Sequence, residues 1–442
     1  RWFAHERDVT DIVPPMHSAL ARRLPFYYGW VIVTVSGLSG AFISGTTSWG
    51  LGIFVTPMQQ EFGWNRTLFF LPLAVGALVS AAAGPLFGPA FDKRHGVRIA
   101  FAVGVVVFAG SLIAMRNVSG FTYYLLVYGV LGGIGQFALI STRAILPKWF
   151  VRKRGRAFAT TGSITSLGPL IFPPALQIMI TTIGWRDTWM VVGIAFLILM
   201  IPATTLIIRG PEDLGLHPDG DTPIPRATPQ ATVHSVAATE ISYTRHEAAR
   251  TLRFWLLIAA VVAGTVSLRG MIPNIQPFLV HQGLSATAAS FSFSVYAVTT
   301  IVSAFIWGTF ADRHGARGPF LGLTVVMATS MGLLWIVDAQ PIMFAAMAYL
   351  GVGANAFFIM GGLFVANSFG RAHYGGISGL FLPFNSAATY SGPLLFGVLY
   401  DLTNNSYGVL FTVAVSLWVV SFVTAYLVQP RQRTVASNSV AR

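Results

Sequence analysis

The chain has 442 residues, 54% of them hydrophobic and only 10% charged, with 45 glycines, 34 phenylalanines and a mean hydropathy of +0.66. This excludes disorder, collagen and a small disulfide scaffold, and it describes a multi-spanning membrane protein, whose helices tolerate glycine and proline. Twenty-eight Lys and Arg against 15 Asp and Glu leave a net charge of +13, which needs no nucleic-acid partner, because basic residues flanking spans gather on the cytoplasmic side.

The first residues are polar and lack an apolar h-region, so no cleavable signal peptide is expected. Residue 1 is Arg, and Met16 is an alternative start. Apolar runs near the ~20 residues needed to cross a bilayer then recur along the chain. They predict twelve spans, near 28–56, 67–91, 98–115, 121–146, 157–181, 187–208, 252–279, 286–311, 318–336, 341–368, 376–400 and 407–428. With both ends inside, only Arg66, Arg116 and Arg186 fall in outer connections, and only Arg143 and Arg269 fall well inside spans, Arg98 and Arg253 standing at inner span ends. Every other Lys and Arg is then cytoplasmic, which the positive-inside rule favours strongly over the inverse topology. Residues 209–250, with Pro211, Pro218, Pro223, Pro225 and Pro229, read as a cytoplasmic linker.

The two halves repeat. A shift of 220 carries Gly63, Gly88 and Asp92 onto Gly283, Gly308 and Asp312, and Gly132 to Gly135 onto Val352 to Asn355. Gly168-Pro169 and Gly392-Pro393 match at a shift of 224. The sharpest copies follow spans two and eight: Gly88-Pro89-Ala90-Phe91-Asp92-Lys93-Arg94-His95-Gly96-Val97-Arg98 and Gly308-Thr309-Phe310-Ala311-Asp312-Arg313-His314-Gly315-Ala316-Arg317. An acid and bases at such a mouth can pair with each other or with a helix end. A contact made only while the mouth is shut biases a two-state equilibrium. Gly88, Asp92, Arg94, Arg98, Asp312, Arg313 and Arg317 are therefore the gating candidates.

These loops resemble the signature of the major facilitator superfamily, Gly-x-x-x-Asp-basic-x-Gly-basic-basic, the first copy carrying one extra residue between Asp92 and Gly96. The resemblance implies an all-α membrane protein of twelve transmembrane helices in two pseudo-symmetric six-helix bundles, with both termini cytoplasmic. The parts would be an N-terminal segment 1–27, bundles 28–208 and 251–429, the linker 209–250 and a tail 430–442. It implies transport by alternating access around a midplane site.

A narrower similarity links Tyr28-Gly29-Trp30-Val31, Phe62-Gly63-Trp64-Asn65-Arg66-Thr67, Trp149-Phe150, Arg154-Gly155-Arg156-Ala157, Gly184-Trp185-Arg186 and Gly397-Val398-Leu399-Tyr400-Asp401 to the monocarboxylate transporter and oxalate/formate antiporter branch. That branch moves small organic anions, with a proton or in exchange. Its span-eight Asp and Arg positions fall here on Thr300 and Ala304, so the branch's usual anion-binding arginine is absent from its usual place.

The acids lie at span ends, in loops, in the linker or at the N-terminus, and none of the nine histidines is central. A midplane proton relay is therefore missing. The intramembrane arginines are the strongest functional signal, because a charge in lipid is costly. Arg269 lies 16 residues beyond Arg253, about 24 Å along a helix. It shares a face with Thr265 and Gln276, just before Pro273 and Pro277. Arg143, with Gln136 two turns earlier, is close enough to Lys148 to reach the inner surface instead. Tyr296, Thr299, Thr300 and Ser303, with Asn355, Asn385 and Thr389, line the path or act as interhelical glue. Trp30, Trp64, Trp185, Trp255 and Trp335 fit an aromatic belt.

The sequence thus points to a secondary transporter of a small organic anion, a monocarboxylate first. It would be a monomer in the cell (inner or plasma) membrane in contact with lipid, with a proton or counter-anion as the open choice of coupling partner. Export of lipophilic compounds and a non-transporting receptor on the same fold are the alternatives. Nothing reads as an enzyme, a cofactor site or a metal site: there is no HExxH, Walker loop or clustered carboxylate pair. The Gly132 to Gly135 run inside a span reads as helix packing rather than phosphate binding.

Overall fold

In a bilayer every backbone polar group must be satisfied within the protein, so long apolar runs become helices. The computed structural model describes residues 25–87, 95–151, 153–220, 243, 245–369 and 374–428. All regular structure among them is helical. The helices are α1 (Gly29–Ile43), α2 (Leu51–Phe62), α3 (Arg66–Phe87), α4 (Gly96–Ala114), α5 (Phe121–Tyr124), α6 (Gly132–Trp149), α7 (Arg154–Thr165) and α8 (Leu167–Thr205). After the short α9 (Arg245–Ala249) come α10 (Leu252–His281), α11 (Ala286–His314), α12 (Arg317–Ile336), α13 (Gln340–Phe369), α14 (Tyr374–Leu402) and α15 (Tyr407–Leu427). Eight stretches among the described residues are long and apolar enough to cross a membrane. The expected Gly88, Asp92 and Arg94, the two chain ends and most of the linker lie outside the described residues.

Two π-helical segments, Ser44–Trp49 and Leu125–Leu131, join α1 to α2 and α5 to α6. In the first, the Thr46 and Thr47 hydroxyls donate to the carbonyls of Phe42 (2.7 Å) and Ile43 (2.6 Å). The described residues fall into two compact units. One takes those within Arg1–Thr232, Ile272–Ala297 and Pro393–Ser406, and the other those within Val233–Met271, Val298–Gly392 and Tyr407–Arg442. The first unit thus holds α1 to α8 together with one end each of α10, α11 and α14.

Its core is built on contact between backbones. An added Cβ on Gly76 would sit 2.9 Å from the Gly129 carbonyl oxygen, and one on Gly135 2.7 Å from the Phe108 nitrogen. Gly129 and Gly133 likewise face the backbone of Pro72 and Gly76, so this stretch is a packing seam, consistent with small residues at membrane helix contacts. Phe54 stacks on Trp189 at 4.0 Å, and Trp64 lies between Phe62 and Tyr124 at 4.4 and 5.3 Å.

The expected loop between spans five and six is a single turn inside α8, where Gly184 adopts φ 81° and ψ 163°. At this end Arg186 pairs with Glu61 (2.5 Å), the Trp185 indole N–H donates to the same carboxylate (2.9 Å), and Arg116 pairs with Asp187 (2.9 Å). The Arg186 hydrogen bond holds the Glu61 carboxyl below its ordinary range. The pairing therefore contributes at neutral pH and fades as pH falls through that lowered value.

The linker is ordered in its first stretch. Asp219, buried at φ +63°, accepts from the backbone N–H groups of Val151 (3.1 Å) and Lys153 (3.0 Å), and the Lys153 ammonium donates to its carbonyl (3.1 Å). Its carboxylate thus caps the turn between α6 and α7. Asp219→Ala leaves two N–H groups without an acceptor and should cost roughly 1–3 kcal/mol. The detergent-solubilised protein is expected to melt several degrees lower than wild type, and an unchanged melting curve would remove the carboxylate from the fold.

In the second unit small polar side chains stitch helices together. Ser267 and Ser421 donate to the carbonyls of Ala414 (2.9 Å) and Ala260 (2.7 Å). The Trp307 indole reaches the Val352 carbonyl at 3.0 Å.

Candidate functional site

Arg269 lies within the continuous helix α10, half-buried and 17 residues from its first residue, Leu252. Neither Pro273 nor Pro277 breaks the helix, although Pro273 has no N–H to give the carbonyl four residues earlier. One turn earlier, buried Thr265 donates to the Asn385 side-chain oxygen on α14 at 3.0 Å. Gly392 brings α14 against the same stretch: an added Cβ would meet the Gly270 nitrogen at 3.0 Å and the Val266 oxygen at 3.1 Å. The backbone carrying Arg269 is thereby held between an interhelical hydrogen bond and a glycine contact, the kind of support a fixed charge needs.

Other predicted lining residues divide. Thr300 and Ser303 donate to the Gly351 carbonyl at 3.1 and 3.3 Å, tying α11 to α13. Asn385 spends its side-chain oxygen on Thr265, and Thr389 donates to the Asn385 carbonyl at 2.8 Å. In the first unit, Tyr296 is buried against Trp49 with ring centroids 4.7 Å apart, and Gln276 is buried with no hydrogen-bond partner for its Oε1. Gln136 is half-buried on α6. Arg143 and Asn355 lie on α6 and α13, and their side chains are outside what is described.

Of the gating candidates, the Asp312 side chain is likewise outside the described set. Arg313 is exposed beside an apolar cleft of about 620 Å³ lined by Ile306, Trp307, Thr309 and Phe310. Arg317 donates to the Tyr426 carbonyl at 2.7 Å, a cation on the closing turn of α15 as the helix dipole favours. Arg98 is half-buried near the start of α4.

Sequence reasoning missed one cluster. It placed Arg66 in a loop, yet its side chain is only 3% exposed at the first residue of α3. The guanidinium lies 3.5 Å over the Tyr400 ring and donates to the Asn274 side-chain oxygen at 2.7 Å. The Asp401 carboxylate accepts the N–H of Arg66 (3.1 Å), the N–H of Thr67 (2.7 Å) and the Thr67 hydroxyl (2.5 Å). The signal was present as two separate motifs, Gly63 to Thr67 and Gly397 to Asp401. Nothing in the sequence joins residues 335 positions apart.

A model of the Major Facilitator Superfamily matches residues 37–280 and 256–442. Monocarboxylate transporter 11 of Homo sapiens is 26% identical over 402 residues, 86% of this chain and 78% of that protein. The oxalate:formate antiporter of Oxalobacter formigenes is 23% identical over 413 residues, 91% of this chain and 92% of that protein. The crystal structure of a D-xylose-proton symporter superposes with a TM-score of 0.65 at 15% identity, covering 91% of this chain and 97% of that one, a likeness of fold alone.

Proposed function

Because this chain belongs to the Major Facilitator Superfamily, a family of membrane transporters and not of enzymes, we propose that it is a secondary transporter of a small organic anion, a monocarboxylate first, working by alternating access. The observation that carries the reading is Arg269, a half-buried cation in the middle of an apolar helix. Arginine in such surroundings replaces the hydration a carboxylate loses on entering the membrane, and a charge-assisted hydrogen bond is strong enough to do so while still releasing the ligand. The relatives named for monocarboxylates and for oxalate and formate support the same chemical class.

In this reading twelve spans form two six-helix bundles, 28–208 and 251–429, with both termini and the 209–250 linker on the cytoplasmic side of the cell membrane. The distribution of Lys and Arg supports that orientation. The α2 to α3 turn is then outside, and the Trp149 and Asp219 region inside. Arg143 is the second anion contact, near the inner face, and Gln276 and Gln136 are uncharged lining groups. The signature-loop residues Gly88, Asp92, Arg94, Arg98, Asp312, Arg313 and Arg317 govern the inner mouth. The protein acts as a monomer, and a proton or a counter-anion provides any coupling.

The test is ligand-induced stabilisation. Mono- and dicarboxylates are screened against the purified protein, each beside its uncharged amide. A ligand that binds only the folded protein raises stability by RT ln(1 + [L]/Kd), about 2.7 kcal/mol at a hundredfold excess over Kd. The expected result is a melting shift with one or more carboxylates and none with the matching amides. Equal shifts with acid and amide would defeat the reading.

A further inference from the structure

The proposal rests on the alternating-access reading above and concerns the end of the first unit that this reading places outside. Three stretches far apart in sequence meet there: the start of α3, the Asn274 turn of α10 and the last turns of α14. We propose that Arg66, Asn274, Tyr400 and Asp401 form a reversible outer latch, made while the outer mouth is shut and broken when it opens.

The contact is polar at its centre. Asp401 supplies the acceptor for the first two N–H groups of α3, while Asn65, the local cap, takes only the N–H of Leu68 at 2.9 Å. A helix start carries partial positive charge, so a carboxylate delivered from another helix fits it. The Arg66 guanidinium donates to a neutral amide oxygen and lies over a ring face, and water can replace both contacts. Exchanging such hydrogen bonds for hydrogen bonds to water has a modest cost per bond, enough to bias the closed state without locking it, whereas parting an apolar seam has no such compensation. The Gly76 to Gly133 seam is of the second kind. The cluster around Arg66 is of the first kind, and its charged groups resolvate when separated.

Glycines let the helices reach the closed position. An added Cβ on Gly397 would lie 3.0 Å from the Arg66 oxygen, and one on Gly52 would run into the carbonyl of Pro273, beside Asn274. Farther along the same closure, Trp49 packs against Phe293 and Tyr296 at 6.0 and 4.7 Å, and Ser294 donates to the Leu170 carbonyl at 2.7 Å. Opening the latch therefore uncovers this line of contacts in turn, and with it the turn of α10 one helical step beyond Arg269.

The chain contains no cysteine, so Ser294→Cys introduces a single thiol. Its rate of reaction with a membrane-impermeant maleimide, added from outside, reads outer opening without any substrate. In that background Asp401→Asn, which turns an N–H pair toward the N–H groups of α3, and Arg66→Gln should each raise the labelling rate at least about tenfold. Arg66→Lys should do the same, because an ammonium cannot reproduce the planar stack. Asn274→Asp, which offers the guanidinium a carboxylate, should lower the rate below that of the parent. Melting curves confirm that each variant is folded. Unchanged labelling in folded Asp401→Asn and Arg66→Gln proteins, or a rise with Asn274→Asp, would overturn the latch. Carboxylate-induced melting shifts are read separately, so the latch and the substrate assignment fail independently.

Discussion

Arg269→Ala is expected to reduce carboxylate uptake into proteoliposomes by at least about a hundredfold, because in the proposed reading it removes the cation that pairs with the bound carboxylate, an interaction of roughly 2–5 kcal/mol. Alanine is the best helix former and sits comfortably at an interior position of α10, so folding should be preserved. The Thr265 to Asn385 hydrogen bond and the Gly392 contact hold the backbone without help from the Arg269 side chain. Arg269→Lys keeps the charge but loses the planar fork, and should retain a small fraction of uptake. The matching check is the melting curve: lost uptake with an unchanged curve places the arginine in transport, and full uptake by Arg269→Ala removes it from the mechanism.

The second large effect concerns the fold. Gly133 faces Gly76 so closely that an added Cβ would lie 2.8 Å from its Cα and 2.9 Å from its carbonyl carbon. Backbone cannot step aside as a flexible side chain does, so α3 and α6 must separate. Gly133→Ala should cost about 1–3 kcal/mol by overpacking, and Gly133→Val should abolish recovery of folded protein. Gly110 is the control. A Cβ there meets nothing within 4 Å, and Gly110→Ala, inside α4 near its C-terminal end, should be neutral or stabilising by roughly 0.5–1 kcal/mol. Size-exclusion profiles and melting curves of the three variants decide it, and equal behaviour at both positions would show that the seam carries no special load.

What could be read from the sequence was local. Apolar runs announced the helices because a lipid solvent leaves the backbone few other ways to satisfy its hydrogen bonds. Arg269 stood out because a charge in such a run has to be explained. The signature loops announced the family because they recur within the chain. The contacts that position side chains were another matter. Thr300 read as either lining or glue, and its hydrogen bond depends on the Gly351 carbonyl of a different helix. Asn385 was equally ambiguous until Thr265 was found beside it. Asp219 lay in a proline-rich stretch that resembled a plain linker, yet its carboxylate caps a turn 66 and 68 residues away. Arg66 and Asp401 were each visible inside a motif, but only folding brings them together. Such pairings depend on the register in which distant helices pack, and single-chain periodicity carries no record of that.

The central claim is that a fixed positive charge in the membrane carries an acid. It is tested most directly by measuring entry of a labelled monocarboxylate and of its uncharged amide into proteoliposomes holding the wild-type protein. The account predicts saturable entry of the acid, competed by unlabelled acid, with the amide entering no faster than into protein-free vesicles. Protein-dependent entry of the amide at the rate of the acid, or no protein-dependent entry of any carboxylate, would contradict it.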